Sequence, residues 1–66
     1  MMELTNEQKE LFHLLRDRGV EKPSAIGAVV FVEDSKKPYN LIIDWIKENQ
    51  EAKRDEILDK LEELYD

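Results

Sequence analysis

Apolar residues recur every three or four positions in three stretches of this sequence, a spacing typical of one face of an α-helix. The first stretch contains Leu11 and Leu15. A capping-box sequence from Thr5 to Gln8 precedes it, and Gly19, which suits the left-handed position just after a helix, follows it. We therefore predict a first helix over about residues 5–18.

Residues 25–32 are apolar on all sides, and two interpretations fit them. The β-branched residues of this stretch favour a β-strand. The helical segments on both sides favour a helix, as does the start Pro23-Ser24, in which Ser24 would be the N-cap. We predict a short buried helix. An intermolecular β-strand over residues 26–32 is the alternative, because a single strand has no partner within its own chain.

The next periodic stretch begins after Asp34 and Ser35, either of which can cap a helix. Pro38 suits the first turn of such a helix, because the missing N–H of proline does no harm there. Ile42 and Ile46 belong to its apolar stripe. We predict a third helix over about residues 36–48.

A fourth helix is predicted over about residues 51–65. At 100° per residue, its apolar stripe points about 120° away from that of the third helix, so we predict a turn near Asn49 and Gln50. The fold class is then all-α, a small bundle of four short helices in a single domain, residues 1–66. The predicted core consists of Leu11, Leu15, Ile26, Val30, Ile42, Trp45, Ile46, Ile57, Leu61 and Leu64.

Composition narrows the class of protein. Sixteen acidic and ten basic residues give a net charge of −6, which opposes binding to nucleic acid or to anionic membranes. Without cysteine, neither disulfides nor a cysteine-based zinc site can support the small core. The longest segment without charge, residues 23–32, is too short to span a membrane. With no basic-then-apolar N-terminal segment, we expect a cytoplasmic location and no membrane contact.

Residues suited to catalysis or metal binding are few and scattered. The single histidine, His13, falls on a polar helix face, and Ser24 and Ser35 fit capping roles, so no nucleophile–base pair is expected. The acidic residues of the last helix alternate with basic residues such as Lys60, which is typical of a solvated surface rather than of a cation site. We predict no enzymatic activity, no cofactor and no metal.

An apolar segment in so short a chain predicts a contact surface. A helix that is apolar all round must bury both sides, and a small domain leaves part of it uncovered. We therefore expect a hydrophobic patch for a protein partner, either another protein or a second copy in a homodimer. The predicted contact residues are Val29, Phe31, Val32 and Tyr39. The leading hypothesis is a non-enzymatic interaction module.

The most basic segment supports an alternative function. Lys36, Lys37 and Asn40 lie near a predicted helix N-terminus, where the helix dipole attracts phosphate. The order of the first three helices resembles a helix-turn-helix arrangement, and this resemblance implies DNA binding by the three residues. Glu33 and Asp34 beside them are acidic, so nucleic acid is not the expected partner.

Part of the sequence resembles a group of short bacterial helical proteins without assigned activity. The likeness rests on residues 41–49, LIIDWIKEN, followed by DEIL at residues 55–58, and it covers about residues 20–64. In those proteins an apolar middle helix precedes a helix with a similar tryptophan motif and an acidic last helix. The resemblance implies a small helical fold and no catalytic residue.

Overall fold

A computed structural model describes residues 3–66, which form four α-helices and no β-strand. Helix α1 spans Asn6–Asp17, α2 spans Lys22–Ser35, α3 spans Asn40–Glu48 and α4 spans Arg54–Tyr65. The predicted all-α bundle of four short helices is confirmed. The alternative strand over residues 26–32 is wrong, because these residues lie within α2.

Helix α1 begins and ends as its sequence predicts. The Thr5 hydroxyl accepts a hydrogen bond from the N–H of Gln8 (3.2 Å), and the Gln8 side chain accepts one from the N–H of Thr5 (2.8 Å). At the other end Gly19 has a φ of 86°, and the N–H of Val20 donates to the carbonyl of Leu15 (3.0 Å). This Schellman motif satisfies carbonyls at the helix end and turns the chain toward α2.

The boundary between α2 and α3 differs from the prediction. Asp34 and Ser35 form the last turn of α2 and do not cap α3. The Ser35 hydroxyl donates to a carbonyl one turn earlier (2.6 Å) and accepts from the N–H of Lys37 (3.1 Å), so it satisfies the end of its own helix. Lys36 then adopts the left-handed conformation (φ 61°), and α3 begins only at Asn40.

Two further helix starts differ from the prediction, while the turn between α3 and α4 is confirmed. Ser24 lies inside α2 and is not its cap, because the helix starts earlier, with Glu21 at the N-cap position. Pro23 still falls in the first turn, as expected. After α3, Asn49 leaves the helical conformation (φ −115°, ψ 66°), and α4 starts at Arg54 rather than at residue 51.

The four helices form a ring around one core. Helix α1 packs on α2 and α3, and α4 packs on the same two helices from the other side. The core comprises Leu11, Leu15, Val20, Ala25, Ala28, Val29, Val32, Ile42, Ile43, Ile46, Ala52, Ile57, Leu61 and Tyr65.

Four predicted core residues lie at the edge of this core or outside it. Ile26 and Val30 are each 41% exposed, because α2 turns a different side inward. Trp45 and Leu64 are partly buried against the core. The inward side of α2 consists of Ala25, Ala28, Val29 and Val32.

A tyrosine from α4 holds the start of α3. The Tyr65 hydroxyl accepts a hydrogen bond from the N–H of Ile42 (3.1 Å), in the first turn of α3, and donates one to the carbonyl of Pro38 (2.7 Å). Tyr39, at the N-cap position itself, makes no side-chain capping bond. Tyr65 therefore supplies the cap that the local sequence lacks.

An arginine that follows α1 holds the other end of α3. Nη1 of Arg18 donates to the carbonyls of Asn49 and Ala52 (3.0 Å each), and Nη2 donates to that of Ile46 (2.9 Å). A guanidinium presents its N–H groups in a fixed plane, so one side chain can satisfy three carbonyls. Arg18 thereby joins α1 to the turn between α3 and α4.

Candidate protein-interaction surface

The outward side of α2 exposes several apolar side chains. Ile26 and Val30 are each 41% exposed, and Phe31 is 38% exposed. Gly27 lies beside them, is also exposed, and has no neighbour within 4 Å of the place where a Cβ would stand. We call these four residues the α2 outer face. An exposed apolar patch of this kind is a candidate for contact with another molecule.

The structure separates the predicted interface residues. Phe31 lies on the surface, whereas Val29 (3% exposed) and Val32 (0%) belong to the core. The prediction is corrected for these two valines, because a buried side chain cannot reach a partner. From the sequence we predicted that Ile26 and Val30 lie in the core. Every side of this segment is apolar, so the sequence does not indicate which side faces the solvent.

A shallow groove between α2 and α4 continues the α2 outer face. Its volume is about 190 Å³. Phe31 forms part of its wall. Apolar surface is therefore available to a partner on both sides of the Phe31 side chain, in the groove and on the α2 outer face. The groove is lined by Ser24, Ala28, Phe31, Leu58, Leu61 and Glu62.

Tyr39, the fourth predicted interface residue, is half-buried in a polar network within the chain. Its hydroxyl donates to Oε1 of Glu33 (2.6 Å), and Nε2 of Gln8 donates both to that Oε1 (2.9 Å) and to the Tyr39 hydroxyl (3.1 Å). Burial, and next the hydrogen bond to Glu33, raise the pKa of Tyr39 above its usual value. The network joins the start of α1 to the end of α2 and the start of α3.

The three residues of the DNA-binding alternative lie together on the surface. Lys36, Lys37 and Asn40 are exposed, at the connection between α2 and α3. Lys37 also has a role within the chain, because its Nζ donates to the carbonyl of Leu64 at the end of α4 (3.3 Å). A cation at a helix C-terminus stabilises that helix through the dipole.

The single histidine of the chain is a surface residue. His13 is exposed, and its ring stands edge-on to that of Phe12, with 5.7 Å between the ring centres. Across residues 3–66, no group of three or more histidine or acidic side chains is arranged to hold a metal ion. In the same part of the chain, no helix has the length and apolar character needed to cross a membrane.

A larger cavity, about 620 Å³, lies at the turn between α3 and α4. Glu48, Glu51 and Glu56 give it a predominantly polar, acidic lining.

Comparisons with protein-family models, with curated proteins and with solved structures give no match. The α2 outer face is the candidate site for a partner, because its apolar side chains are exposed.

Proposed function

We propose that this protein is a small, non-enzymatic module that binds a protein partner, either a different protein or a second copy of itself, through the α2 outer face. The observation that carries the proposal is the exposure of Ile26, Val30 and Phe31 on one helix. Covering these side chains would remove apolar surface from water, which is the main driving force of protein association. Aromatic residues such as Phe31 are enriched in interfaces. We place this activity in the cytoplasm, in keeping with a chain that lacks cysteine.

The distribution of charge supports α2 over the other helices. Residues 23–32 carry no charge, although 39% of the whole chain is charged and the exposed sides of α1 and α4 are rich in charged residues. The centre of a protein interface is depleted of charged residues, because charges are expensive to remove from water. A partner can therefore cover the α2 outer face without removing a charged group of that face from water.

A binding measurement with matched variants tests the proposal. A partner is captured by the wild-type protein from extracts of the cells that make it, purified, and titrated in a calorimeter against wild type and Val30→Glu. We expect the affinity of Val30→Glu to be lower by at least about ten-fold, because the new carboxylate would be desolvated in the contact. Leu41→Glu is the control, since Leu41 is equally exposed (40%) but lies on α3.

Circular dichroism first establishes that both variants keep the helical content of wild type, as substitutions at exposed positions should. A partner that binds Val30→Glu as tightly as wild type contacts the chain elsewhere, and this result overturns the proposal. The proposal is also overturned if Leu41→Glu loses as much affinity as Val30→Glu, because the loss is then not specific to α2.

DNA binding through Lys36, Lys37 and Asn40 is the alternative, and only the shared exposure of the three side chains favours it. The net charge of −6 and the neighbouring acidic residues of α2 oppose it. A titration of the same preparation with duplex DNA at about 20 mM salt should show no binding. If the protein binds DNA, if added salt weakens this binding steeply, and if Lys36→Ala diminishes it, DNA binding becomes the supported function and the interaction module is rejected.

A further inference from the structure

The α2 outer face is part of a longer row of side chains with opposite charges at its two ends. Lys22, Ile26, Val30 and Asp34 follow one another at a spacing of four residues, and all four are exposed. Residues at this spacing form a continuous ridge along a helix. This row, the α2 ridge, begins with a cation, continues with two apolar side chains and ends with an anion.

We propose that the partner of the α2 outer face is a second copy of this chain, with the two α2 helices packed antiparallel. The inference rests on the proposed function, because it uses the same surface. A two-fold axis between Ile26 and Val30 places Lys22 of one copy opposite Asp34 of the other, and Ile26 opposite Val30. Each copy then offers the same patch, and both charged pairs form together.

The helix dipole favours this orientation. The N-terminus of a helix carries a partial positive charge, and the C-terminus carries a partial negative one. Lys22 is the first residue of α2 and Asp34 lies in its last turn, so in a single copy each charge stands at the helix end of its own sign. An antiparallel second α2 brings to each charge a helix end and a side chain of the opposite sign. The repulsion between each charge and its own helix end is thus offset by its attraction to the second copy.

The two charged residues of the ridge are not engaged in ion pairs within the described part of the chain. The ion pairs among residues 3–66 involve neither Lys22 nor Asp34. At the same end of α2, Glu33 is bound by Tyr39 and Gln8, which directs it toward α1 and α3. Asp34 is therefore the acidic residue of this turn that remains available to a second copy.

Gly27 gives the second copy room to approach. It lies in the row next to the α2 ridge, between Pro23 and Phe31, and its missing side chain leaves a gap there. The ridge of one helix packs into the groove of another, and two helices that both use rows of this spacing cross at about −50°. Phe31 borders the contact on the side that faces α4.

The dimer is expected to be weak. One helix from each copy makes a small contact, and interfaces of low area belong to transient complexes. The dissociation constant should lie roughly in the micromolar to millimolar range. The protein is therefore expected to exchange between monomer and dimer as its concentration changes.

Sedimentation equilibrium over about three orders of magnitude in protein concentration measures this dissociation constant. Lys22→Asp makes both charged pairs repulsive and should weaken the dimer about ten-fold, and Asp34→Lys should do the same. The double variant, Lys22→Asp with Asp34→Lys, has opposite charges at both pairs again and should return to the wild-type value. Val30→Glu should abolish the dimer, whereas Leu41→Glu should leave it unchanged.

Each result separates this inference from the proposed function. If wild type stays monomeric throughout the concentration range, self-association is overturned, while the contact with a different purified partner keeps its own test. If wild type dimerises but the single charge variants have no effect, or the double variant is as weak as either single one, the antiparallel arrangement is overturned. Weakening by each single variant and recovery in the double variant support it.

Discussion

One hydroxyl group, that of Tyr65, satisfies the beginning of α3. The side chain is 4% exposed, and its hydroxyl links an N–H of the first turn of α3 to the carbonyl of Pro38. Burial raises the pKa of Tyr65 above its usual value, because the ionised form would lose its hydration; the hydrogen bond from Ile42 partly opposes this effect. The Tyr65 hydroxyl therefore affects stability in two ways: through its hydrogen bonds at neutral pH and through its ionisation at alkaline pH.

Replacing Tyr65 by phenylalanine should lower the free energy of unfolding by about 2 kcal/mol at pH 7, because the buried N–H of Ile42 is left without a partner. Urea denaturation measures the difference. Tyr39→Phe is the matched control and should cost about 0.5 kcal/mol, since Gln8 and Glu33 still bond to each other without its hydroxyl. A Tyr65→Phe protein as stable as wild type would show that water satisfies this end of α3.

Wild type and Tyr65→Phe should also differ in how their stability changes at alkaline pH. The pKa of Tyr65 in the folded chain lies above the value of 10.0 that describes an unperturbed tyrosine. Its contribution to stability is therefore complete below about pH 10 and is lost as the pH rises through the folded pKa. Wild type should lose stability more steeply than Tyr65→Phe in this range. Parallel curves would contradict the role assigned to burial.

Local sequence predicts the ends of α1 better than the orientation of α2. The cap at Thr5 and the turn at Gly19 depend on residues no more than five positions away, and both are confirmed. Ser35 does not cap α3 as predicted and acts instead at the end of α2, because a hydroxyl can bond to the backbone before it as well as to the backbone after it. The inward side of α2 depends on where the other helices lie, which a uniformly apolar segment does not indicate.

The two glycines should respond to alanine in opposite directions. Gly19 has a φ of 86°, so Gly19→Ala should lower the free energy of unfolding by about 1 kcal/mol through backbone strain alone, since no atom lies near the added Cβ. Gly27 lies within α2 with equal space around it, so Gly27→Ala should raise stability by about 0.5–1 kcal/mol. Thermal unfolding at one low protein concentration measures both. A change of the same sign at both positions would contradict this account.

At the scale of the molecule, contacts between distant parts of the chain complete the fold, and these are the contacts that sequence reasoning missed. Arg18 donates to carbonyls 28, 31 and 34 residues away. Its position after a helix suggests only a solvated charge, and nothing near it in the sequence points to the turn between α3 and α4. The same limit applies to the α2 outer face, which exists because α1 and α4 cover the other sides of α2.

Removing the Arg18 guanidinium should therefore destabilise the turn between α3 and α4. Arg18→Met keeps most of the aliphatic stem but removes three hydrogen bonds from a charged donor, although the carbonyls of Ile46 and Asn49 keep backbone N–H donors. The variant should lower the free energy of unfolding by about 2 kcal/mol. Arg18→Lys should cost about half as much, because a single ammonium cannot reach all three carbonyls. Arg16→Met is the control: Arg16 makes one backbone contact (3.1 Å, to Val20) and should cost at most about 0.5 kcal/mol.

Amide hydrogen exchange locates the effect of the Arg18 variants. The N–H of Ala52, which donates to the carbonyl of Asn49 within the turn (3.0 Å), should lose more protection in Arg18→Met than the amides of α1, whose exchange should rise only as far as the lower free energy of unfolding requires. An equal loss of protection along the whole chain would instead mean that Arg18 acts on global stability alone and has no separate effect on this turn.

The capping of α3 by Tyr65 also implies an order of events while the ribosome makes the chain. Helix α1 carries its cap within its own sequence, so it can form as soon as it leaves the exit tunnel. The first turn of α3 is synthesised 23 residues before the side chain that completes it. Until Tyr65 emerges, that turn remains in contact with water or with chaperones. The apolar stripe of α1 packs on α2 and α3, so it too stays exposed on the nascent chain until α3 is complete. A pause in translation between these two points would prolong the time in which a half-made chain is open to aggregation.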